Sequence, residues 1–215
     1  MLATWVRCTV TDRSGFIAGQ AGWGRLRGLP GFLGRCGGWD RHDPDTAHLF
    51  GFWTDRFSYH DFLAGEGIAE RANGAVNTAA DDEPATLDGT YEKSSVRTFM
   101  RRRDLSGGFQ PRPSPAALLR VTYCKLRDGR FGNVIERYNR MWEPKLAVDS
   151  GMLGGFLAEE GNTEVLVFSR WRAFDDHEAY ASAIVGRVGR HPQPPPPDLA
   201  TIERYLVDVV PDWSV

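Results

Sequence analysis

A pattern that occurs twice constrains the fold of this chain more than any other feature of its 215 residues. Residues 29–34 read LPGFLG, and residues 151–156 read GMLGGF. In each copy an apolar segment that ends in tryptophan follows, at Trp53 and at Trp171, and then a helical segment that carries an aromatic side chain. A long internal repeat of this kind predicts two copies of one structural unit.

Each copy also contains an earlier strand, a first helix and a final strand. The earlier strands are expected at residues 5–10 and 119–126, and the final strands at 94–100 and 202–210, from their apolar and β-branched side chains. The order in each copy is therefore strand, helix, strand, strand, helix, strand. A first helix at residues 15–23 is expected mainly because its counterpart in the second copy has clear helical periodicity.

The strands that end in tryptophan are apolar on both faces, which predicts that both faces are covered. One face should pack on the helices of its own unit, and the other on the sheet of the sister repeat. The sequence thus predicts an α+β fold of two tandem ferredoxin-like βαββαβ units. We expect the first unit at residues 1–102, a linker at 103–115 and the second unit at 116–215.

Composition excludes several classes of partner. The formal net charge is only −2 and the basic side chains are scattered, so neither nucleic acid nor an anionic membrane is expected as a partner. There is no signal-peptide pattern and no apolar run of about twenty residues, which favours a cytoplasmic protein. The three cysteines form no C-x-x-C pair and predict neither a zinc site nor a disulfide framework.

Isolated histidines are the candidate proton-transfer residues, because the sequence has no nucleophile elbow, phosphate loop or H-E-x-x-H motif. His48 lies inside an apolar strand, where it is either a core histidine with satisfied hydrogen bonds or a general base. His60 and His177 lie on the second helices and are either exposed or catalytic. No metal site is expected.

Aromatic and polar side chains near these histidines are the candidates for binding a substrate. Trp53 and Trp171 end the third strands, and each is either a packing residue or part of a pocket. In the second copy, Tyr123, Tyr138 and Asn139 either point to the pocket or are ordinary packing and surface residues. The two pockets are expected to differ, because Leu166 stands in the second copy where the first has His48.

Four segments of the first copy carry a resemblance to a known family. They are Trp5-Val6-Arg7-Cys8, residues 31–34 (GFLG), residues 37–39 (GGW) and residues 51–53 (GFW). With the repeated unit, they resemble the dimeric α/β-barrel superfamily of antibiotic-biosynthesis-monooxygenase-like domains, and the first copy is most similar to the YdbC-like proteins of unknown function. The resemblance implies that the two units form a dimeric α/β-barrel within one chain, and it allows a further homodimer.

The superfamily also includes haem-degrading enzymes, which gives an alternative cofactor. His191 follows Tyr180 by eleven residues, close to where such relatives carry the histidine that ligates haem iron. Pro192 follows it directly, and the flanking Trp-x-x-Ser pattern is absent. The resemblance therefore implies either no cofactor or haem bound through His191.

Together with a composition rich in arginine, glycine and alanine, the resemblance implies a small-molecule tailoring enzyme of natural-product metabolism. The resemblance implies a cofactor-independent monooxygenase or cyclase that acts on a hydrophobic, polyketide-like aromatic substrate. The alternatives are a haem-binding or haem-degrading protein and a ligand-binding barrel without catalysis. The expected partner in the first case is a hydrophobic small molecule.

Overall fold

The computed structural model describes residues 1–72, 89–105, 107–111, 115–127, 130–133, 136, 151–188 and 197–215. The chain divides into two compact units that follow the two repeats. Unit 1 contains Met1–Met100, Pro111–Pro113 and Val207–Val215, and unit 2 contains Arg101–Gln110 and Ser114–Leu206. Each unit therefore includes a segment that lies outside its own repeat in the sequence.

Unit 1 is an antiparallel sheet with two helices. Strand β1 pairs with both β3 and β4, and β2 pairs with β3, which gives the order β4-β1-β3-β2. The end of β8 continues the sheet beyond β2, with Gly38 opposite Val209. The elements are β1 (Leu2–Val10), α1 (Arg13–Gln20), a 3-10 turn (Ala21–Leu26), β2 (Phe32–Asp40), β3 (Thr46–Trp53), α2 (Arg56–Ala72) and β4 (Tyr91–Asp104).

Unit 2 repeats this plan with the strand order β8-β5-β7-β6. Residues 131–133 are helical in the position that corresponds to α1. The elements are β5 (Leu118–Leu126), β6 (Met152–Glu160), β7 (Glu164–Trp171), α3 (Phe174–Val188) and β8 (Leu199–Val209). The last three residues of β8 and the 3-10 turn that follows it (Pro211–Trp213) belong to unit 1. The predicted α+β class and the tandem ferredoxin-like units are confirmed.

The two units also share their strand register. Leu2 pairs with Trp53 in unit 1, and Leu118 pairs with Trp171 in unit 2. The pairing with the third strand shifts just before Gly34 and, in the second copy, just before Gly154. These glycines have φ angles of +148° and +122°, and a Cβ on either would collide with a backbone carbonyl oxygen of its own unit. Only glycine fits these two positions.

Two boundaries differ from the sequence-based expectation. Helix α1 begins earlier than expected because Asp12 caps it, its Oδ1 accepting the Gly15 N–H at 3.0 Å. Strand β4 continues to Asp104 and enters the segment predicted as a linker. There the Arg102 guanidinium forms an ion pair with the buried Glu159 carboxylate within unit 2.

Three aromatic rings from distant segments form the centre of one core of unit 1. The Trp39 and Trp213 ring centroids are 5.2 Å apart, and Phe16 lies 5.9 Å from Trp39 and 5.7 Å from Trp213. All three side chains are buried. The tilted and edge-on ring pairs are favourable arrangements for aromatic side chains. Residues 207–215 thus supply a large core side chain to unit 1.

Replacing this side chain tests the contribution of the segment. We expect Trp213→Ala to lower the free energy of unfolding by about 3–5 kcal/mol, because it deletes a buried ring and leaves a cavity. Urea denaturation followed by circular dichroism measures the change. Phe57→Ala is the matched control, since Phe57 is 82% exposed and its loss should change stability by less than about 0.5 kcal/mol. Equal effects of the two variants would contradict the assigned core.

Candidate functional site

Unit 1 contains a cleft between its sheet and the segments that cover it. The empty volume, counted with the solvent at the mouth, is about 360 Å³. The cavity itself has a volume of only about 30 Å³, below the roughly 300–1,000 Å³ typical of small-molecule sites, so an aromatic ligand enters it only if lining side chains move. The strands supply Thr4, Val6, Phe32, Arg35, Leu49, Gly51 and Trp53, and the 3-10 turn and α2 supply Trp23, Leu26, Tyr59 and Phe62.

The alternation of side chains along the strands determines which residues reach the cleft. Successive side chains point to opposite faces of a sheet, so Leu49 and Trp53 face the cleft while His48 faces away from it. Gly51 pairs with Thr4 across the strands, and a Cβ on Gly51 would lie 2.7 Å from the Thr4 hydroxyl oxygen. The missing side chain leaves the floor of the cleft open at this point.

Aromatic rings form much of the wall of the cleft around Trp53. The Trp53 ring lies 5.1 Å from Phe32, 5.6 Å from Tyr59 and 4.9 Å from Phe62, measured between ring centroids. These are separations at which aromatic rings attract one another. The cleft therefore presents flat apolar surfaces to a ligand.

Of the described residues that line this aromatic cleft, Arg35 alone is charged. It is only 4% exposed, and its guanidinium carbon lies 3.9 Å from the centroid of the Trp23 ring. Such a cation–π contact stabilises a cation in apolar surroundings. The buried Trp23 Nε1 atom is a hydrogen-bond donor without an acceptor among the described residues. A cation and an unused donor in an apolar cleft favour a ligand with a negatively charged or oxygen-rich group.

Unit 2 has polar side chains at the positions that correspond to this cleft. The correspondence follows from the shared strand register and from equal distances along the chain after each third-strand tryptophan. Thr4 is replaced by Arg120, Gly51 by Ser169, Tyr59 by His177 and Phe62 by Tyr180. The tryptophan itself is kept as Trp171.

These side chains surround Trp171. The His177 ring is perpendicular to the Trp171 ring at 5.1 Å, and the Tyr180 ring lies 5.0 Å from it. The Trp171 Nε1–H donates to the Ser169 hydroxyl at 3.0 Å. Ser169 is the cross-strand partner of Arg120. The structure thus brings the predicted residues Trp171 and His177 together.

Burial and the Arg120 charge determine the protonation of this group. Burial, helped by the positive charge of Arg120, lowers the pKa of His177 from 6.5 to about 4. Burial also raises the pKa of the Tyr180 hydroxyl, although Arg120 opposes this shift by its charge and by hydrogen bonding. At neutral pH the group therefore combines a neutral imidazole, a neutral phenol and a cation.

His48 has both ring nitrogens engaged in hydrogen bonds. The Trp5 Nε1–H donates to His48 Nδ1 at 3.1 Å, and His48 Nε2 lies 3.0 Å from Asp40 Oδ2. Because the indole can only donate, Nδ1 carries no proton and Nε2–H donates to the carboxylate. Burial lowers the pKa of His48, against the opposing effect of Asp40. This arrangement corresponds to a core histidine with satisfied hydrogen bonds, the first of the two interpretations of His48.

The remaining predicted residues do not join either group. His60 is exposed on α2. Tyr123 is fully buried on the face of β5 that points away from Trp171. Tyr138, Asn139 and His191 lie outside the described residues. The catalytic roles of His48, His60 and His177 stay predictions.

Sequence reasoning missed the two arginines. Arg35 lies in the glycine-rich segment 31–38, which resembles a loop as much as a strand. Arg120 lies within an otherwise mostly apolar strand and gives no signal on its own. Side chains alternate between the two faces of a strand. Counting in steps of two from each tryptophan and its cross-strand partner could have placed both arginines on the face that the helices cover.

Two findings concern membranes and cofactors. Among the described residues, no helix is both long enough and apolar enough to cross a membrane. In the same part of the chain, no group of three or more histidine, cysteine or acidic side chains is arranged to hold a metal ion. The haem alternative rests on His191, which lies outside the described residues, so it stays a prediction.

The buried histidines should make stability depend on pH. A lowered pKa in the folded state means that folding favours the neutral ring, so the stabilisation is complete above the unfolded value of 6.5. As the pH falls below about 6.5, each histidine should reduce the free energy of unfolding by up to about 1.4 kcal/mol per pH unit until its folded pKa is reached. Urea titrations between about pH 7.5 and pH 4.5 measure the slope.

Single substitutions show how much each histidine contributes to the pH dependence of the free energy of unfolding. His177→Tyr, which introduces the residue of unit 1, should reduce the slope. His60→Gln is the control and should leave it unchanged, because His60 is exposed. If His177→Tyr does not change the slope of the free energy of unfolding against pH, the lowered pKa of His177 is wrong.

A protein-family model matches the first repeat. Residues 2–80 match a family described as a domain of unknown function, DUF4937. This match covers the first part of the chain only. No curated protein matches the sequence significantly.

Solved structures match nearly the whole chain in fold. A candidate monooxygenase from Lactobacillus acidophilus NCFM covers 100% of this chain and 95% of its own, with 10% identity and a TM-score of 0.65. One from Fusobacterium nucleatum covers 97% and 91%, with 11% identity and a TM-score of 0.67. An anthrone oxidase-like protein also covers 97% and 91%, with 14% identity and a TM-score of 0.64. These likenesses show that the chain shares the fold of these proteins, and its strand order shows two tandem ferredoxin-like units, as the sequence predicts.

Proposed function

We propose that unit 1 binds a flat aromatic small molecule that carries an acidic hydroxyl or carboxyl group, and that the protein oxidises this molecule with O2 without a cofactor. The observation that carries the proposal is the buried Arg35 guanidinium in a cleft with aromatic walls. The names of the full-length structural neighbours support the oxidation, as a likeness of fold.

The binding follows from the side chains of the cleft. The rings of Trp53, Phe32 and Phe62 offer apolar area to an aromatic ligand. Each Å² of apolar surface removed from water contributes about 25 cal/mol. Arg35 would form a charge-assisted hydrogen bond to an oxygen anion, which is typically worth about 1.5–3 kcal/mol. The cleft therefore selects ligands that are both aromatic and anionic.

Arg35 would also favour ionisation of a weakly acidic ligand. A nearby cation lowers the pKa of an acid, and a tenfold increase in acidity corresponds to about 1.4 kcal/mol. An ionised phenol or enol is electron-rich and reacts with O2 more readily than its neutral form.

The oxidation would convert a methylene group of the aromatic ring system into a carbonyl group. One atom of O2 becomes the carbonyl oxygen, and the other leaves as water with the two hydrogens of the methylene group. The carbon loses four electrons and O2 gains four, so the reaction balances without a further reductant.

A binding experiment with three naphthalene probes tests the role of Arg35. We expect 2-naphthoate and 2-naphthol to quench tryptophan fluorescence saturably, with naphthalene binding more weakly. Arg35→Gln should weaken 2-naphthoate binding by about 10- to 100-fold, which corresponds to about 1.4–2.8 kcal/mol, and should change naphthalene binding little.

Arg27→Gln is the matched control, because Arg27 is an exposed arginine beside the same turn. It should leave the affinities of all three probes unchanged. If Arg35→Gln binds 2-naphthoate as tightly as the wild type, the anion is not held in this cleft and the proposal is wrong.

Oxygen consumption tests the reaction. We expect the protein to consume O2 with anthrone, one molecule of O2 for each anthrone converted to its quinone, at a rate that exceeds the spontaneous one. Arg35→Gln should lower kcat/KM by about the factor by which it weakens anion binding, or more if the charge acts mainly in the transition state. Saturable binding without O2 consumption by any hydroxy-aromatic probe would reject the oxidation and leave a ligand-binding protein.

A further inference from the structure

Unit 2 keeps the third-strand tryptophan but replaces the residues around it by groups that can exchange protons or carry charge. Arg120, Ser169, His177 and Tyr180 stand where unit 1 has Thr4, Gly51, Tyr59 and Phe62. The arginine of the unit 1 cleft has no counterpart, because Gly155 takes the position of Arg35. The arginine therefore lies on the second strand in unit 1 and on the first strand in unit 2.

His177 is not required by the fold at its position. The side chain is only 6% exposed, and Nδ1 has no hydrogen-bond partner among the described residues. A buried polar atom without a partner typically costs about 1–3 kcal/mol. Unit 1 accommodates a tyrosine at the same distance after its tryptophan, so the fold also accepts a phenol there. An imidazole with an unused nitrogen next to a cation is better explained by a ligand.

The geometry points to a second small-molecule site in unit 2, for an aromatic carboxylate that carries an ionisable hydroxyl or enol group. Arg120 would pair with the carboxylate, and the Trp171 and Tyr180 rings would contact the aromatic part. His177 would accept the proton of the ionisable group at Nδ1. The O–H or C–H bond of the ligand breaks, its electron pair stays on the ligand, and His177 holds the proton until it returns it to the ligand or to solvent.

The charge of Arg120 would make proton transfer to His177 depend on prior binding of the anion. Without a ligand, the charge of Arg120 lowers the pKa of His177 and so disfavours the protonated imidazole. A bound carboxylate would neutralise that charge and so allow His177 to take up a proton. Among the described residues, Arg120 is the group whose charge acts on His177. Proton transfer would therefore follow the binding of the anion.

Binding of 6-hydroxy-2-naphthoate to the Arg35→Gln chain tests the site. This background weakens anion binding in the unit 1 cleft, so the remaining binding is assigned to unit 2 by its sensitivity to Arg120→Thr. We expect saturable binding that Arg120→Thr weakens by about 10-fold or more, as the loss of a charge-assisted contact requires. Arg172→Thr is the matched control in the same unit, since Arg172 is exposed, and it should have no effect.

Nuclear magnetic resonance of the His177 ring separates a proton-transfer role from a structural one. The pKa of His177 should rise from about 4 when 2-naphthoate binds to the Arg35→Gln chain. Arg120→Thr should raise this pKa without any ligand and should remove the effect of 2-naphthoate. His177→Tyr and Tyr180→Phe introduce the residues of unit 1, so both are expected to fold. With either variant, the bound hydroxynaphthoate should show a smaller naphtholate absorbance band.

Two results would overturn the proposal. One is the absence of saturable probe binding to the Arg35→Gln chain, and the other is an affinity that Arg120→Thr leaves unchanged. The proposal does not rest on the function proposed for unit 1. Failure of that function appears as binding that is insensitive to Arg35→Gln, whereas failure of this site appears as binding that is insensitive to Arg120→Thr.

Discussion

The contact between the third-strand tryptophan and the helix that follows it is the interaction on which both units depend. Each helix begins three residues after its tryptophan, α2 at Arg56 and α3 at Phe174. The side chains six and nine positions after each tryptophan then lie against its ring, at separations between 4.9 and 5.6 Å. A buried tryptophan removes a large apolar area from water and so holds the helix on the sheet.

This shared contact explains how the two units can differ chemically without a change of fold. In both units, the residues six and nine positions after the tryptophan approach its ring in the same way, whatever side chains they carry. Tyr59 in unit 1 and His177 in unit 2 therefore occupy equivalent space. In a homodimer, one substitution changes both copies of a site, because the subunits are identical. A tandem chain lets each copy change alone, and here the cation lies at Arg35 in one and at Arg120 in the other.

The fold was predictable from the sequence because it rests on local patterns that occur twice. Strands apolar on both faces, the glycine at each register shift and the tryptophans are all visible as residue types at fixed spacings. The hydrogen-bonded group of Trp5, Asp40 and His48 was not predictable, because its members come from three strands and their pairing depends on register. The ion pair between Arg102 near the end of β4 and Glu159 was not predictable either, because the two residues are far apart in the sequence. Both arginines of the candidate sites depend on strand alternation, which short glycine-rich segments obscure.

The assignment of residues 207–215 to unit 1 has a consequence for the way the protein is made. These residues pair with β2 and place Trp213 beside Phe16 and Trp39. A nascent chain that has just completed the first repeat lacks both this strand and this ring. Unit 1 therefore leaves the ribosome with an open sheet edge and an unfinished core, the kind of surface that chaperones bind and that promotes aggregation. Its folding is completed only after synthesis of the second repeat, which makes the first repeat the last to be finished.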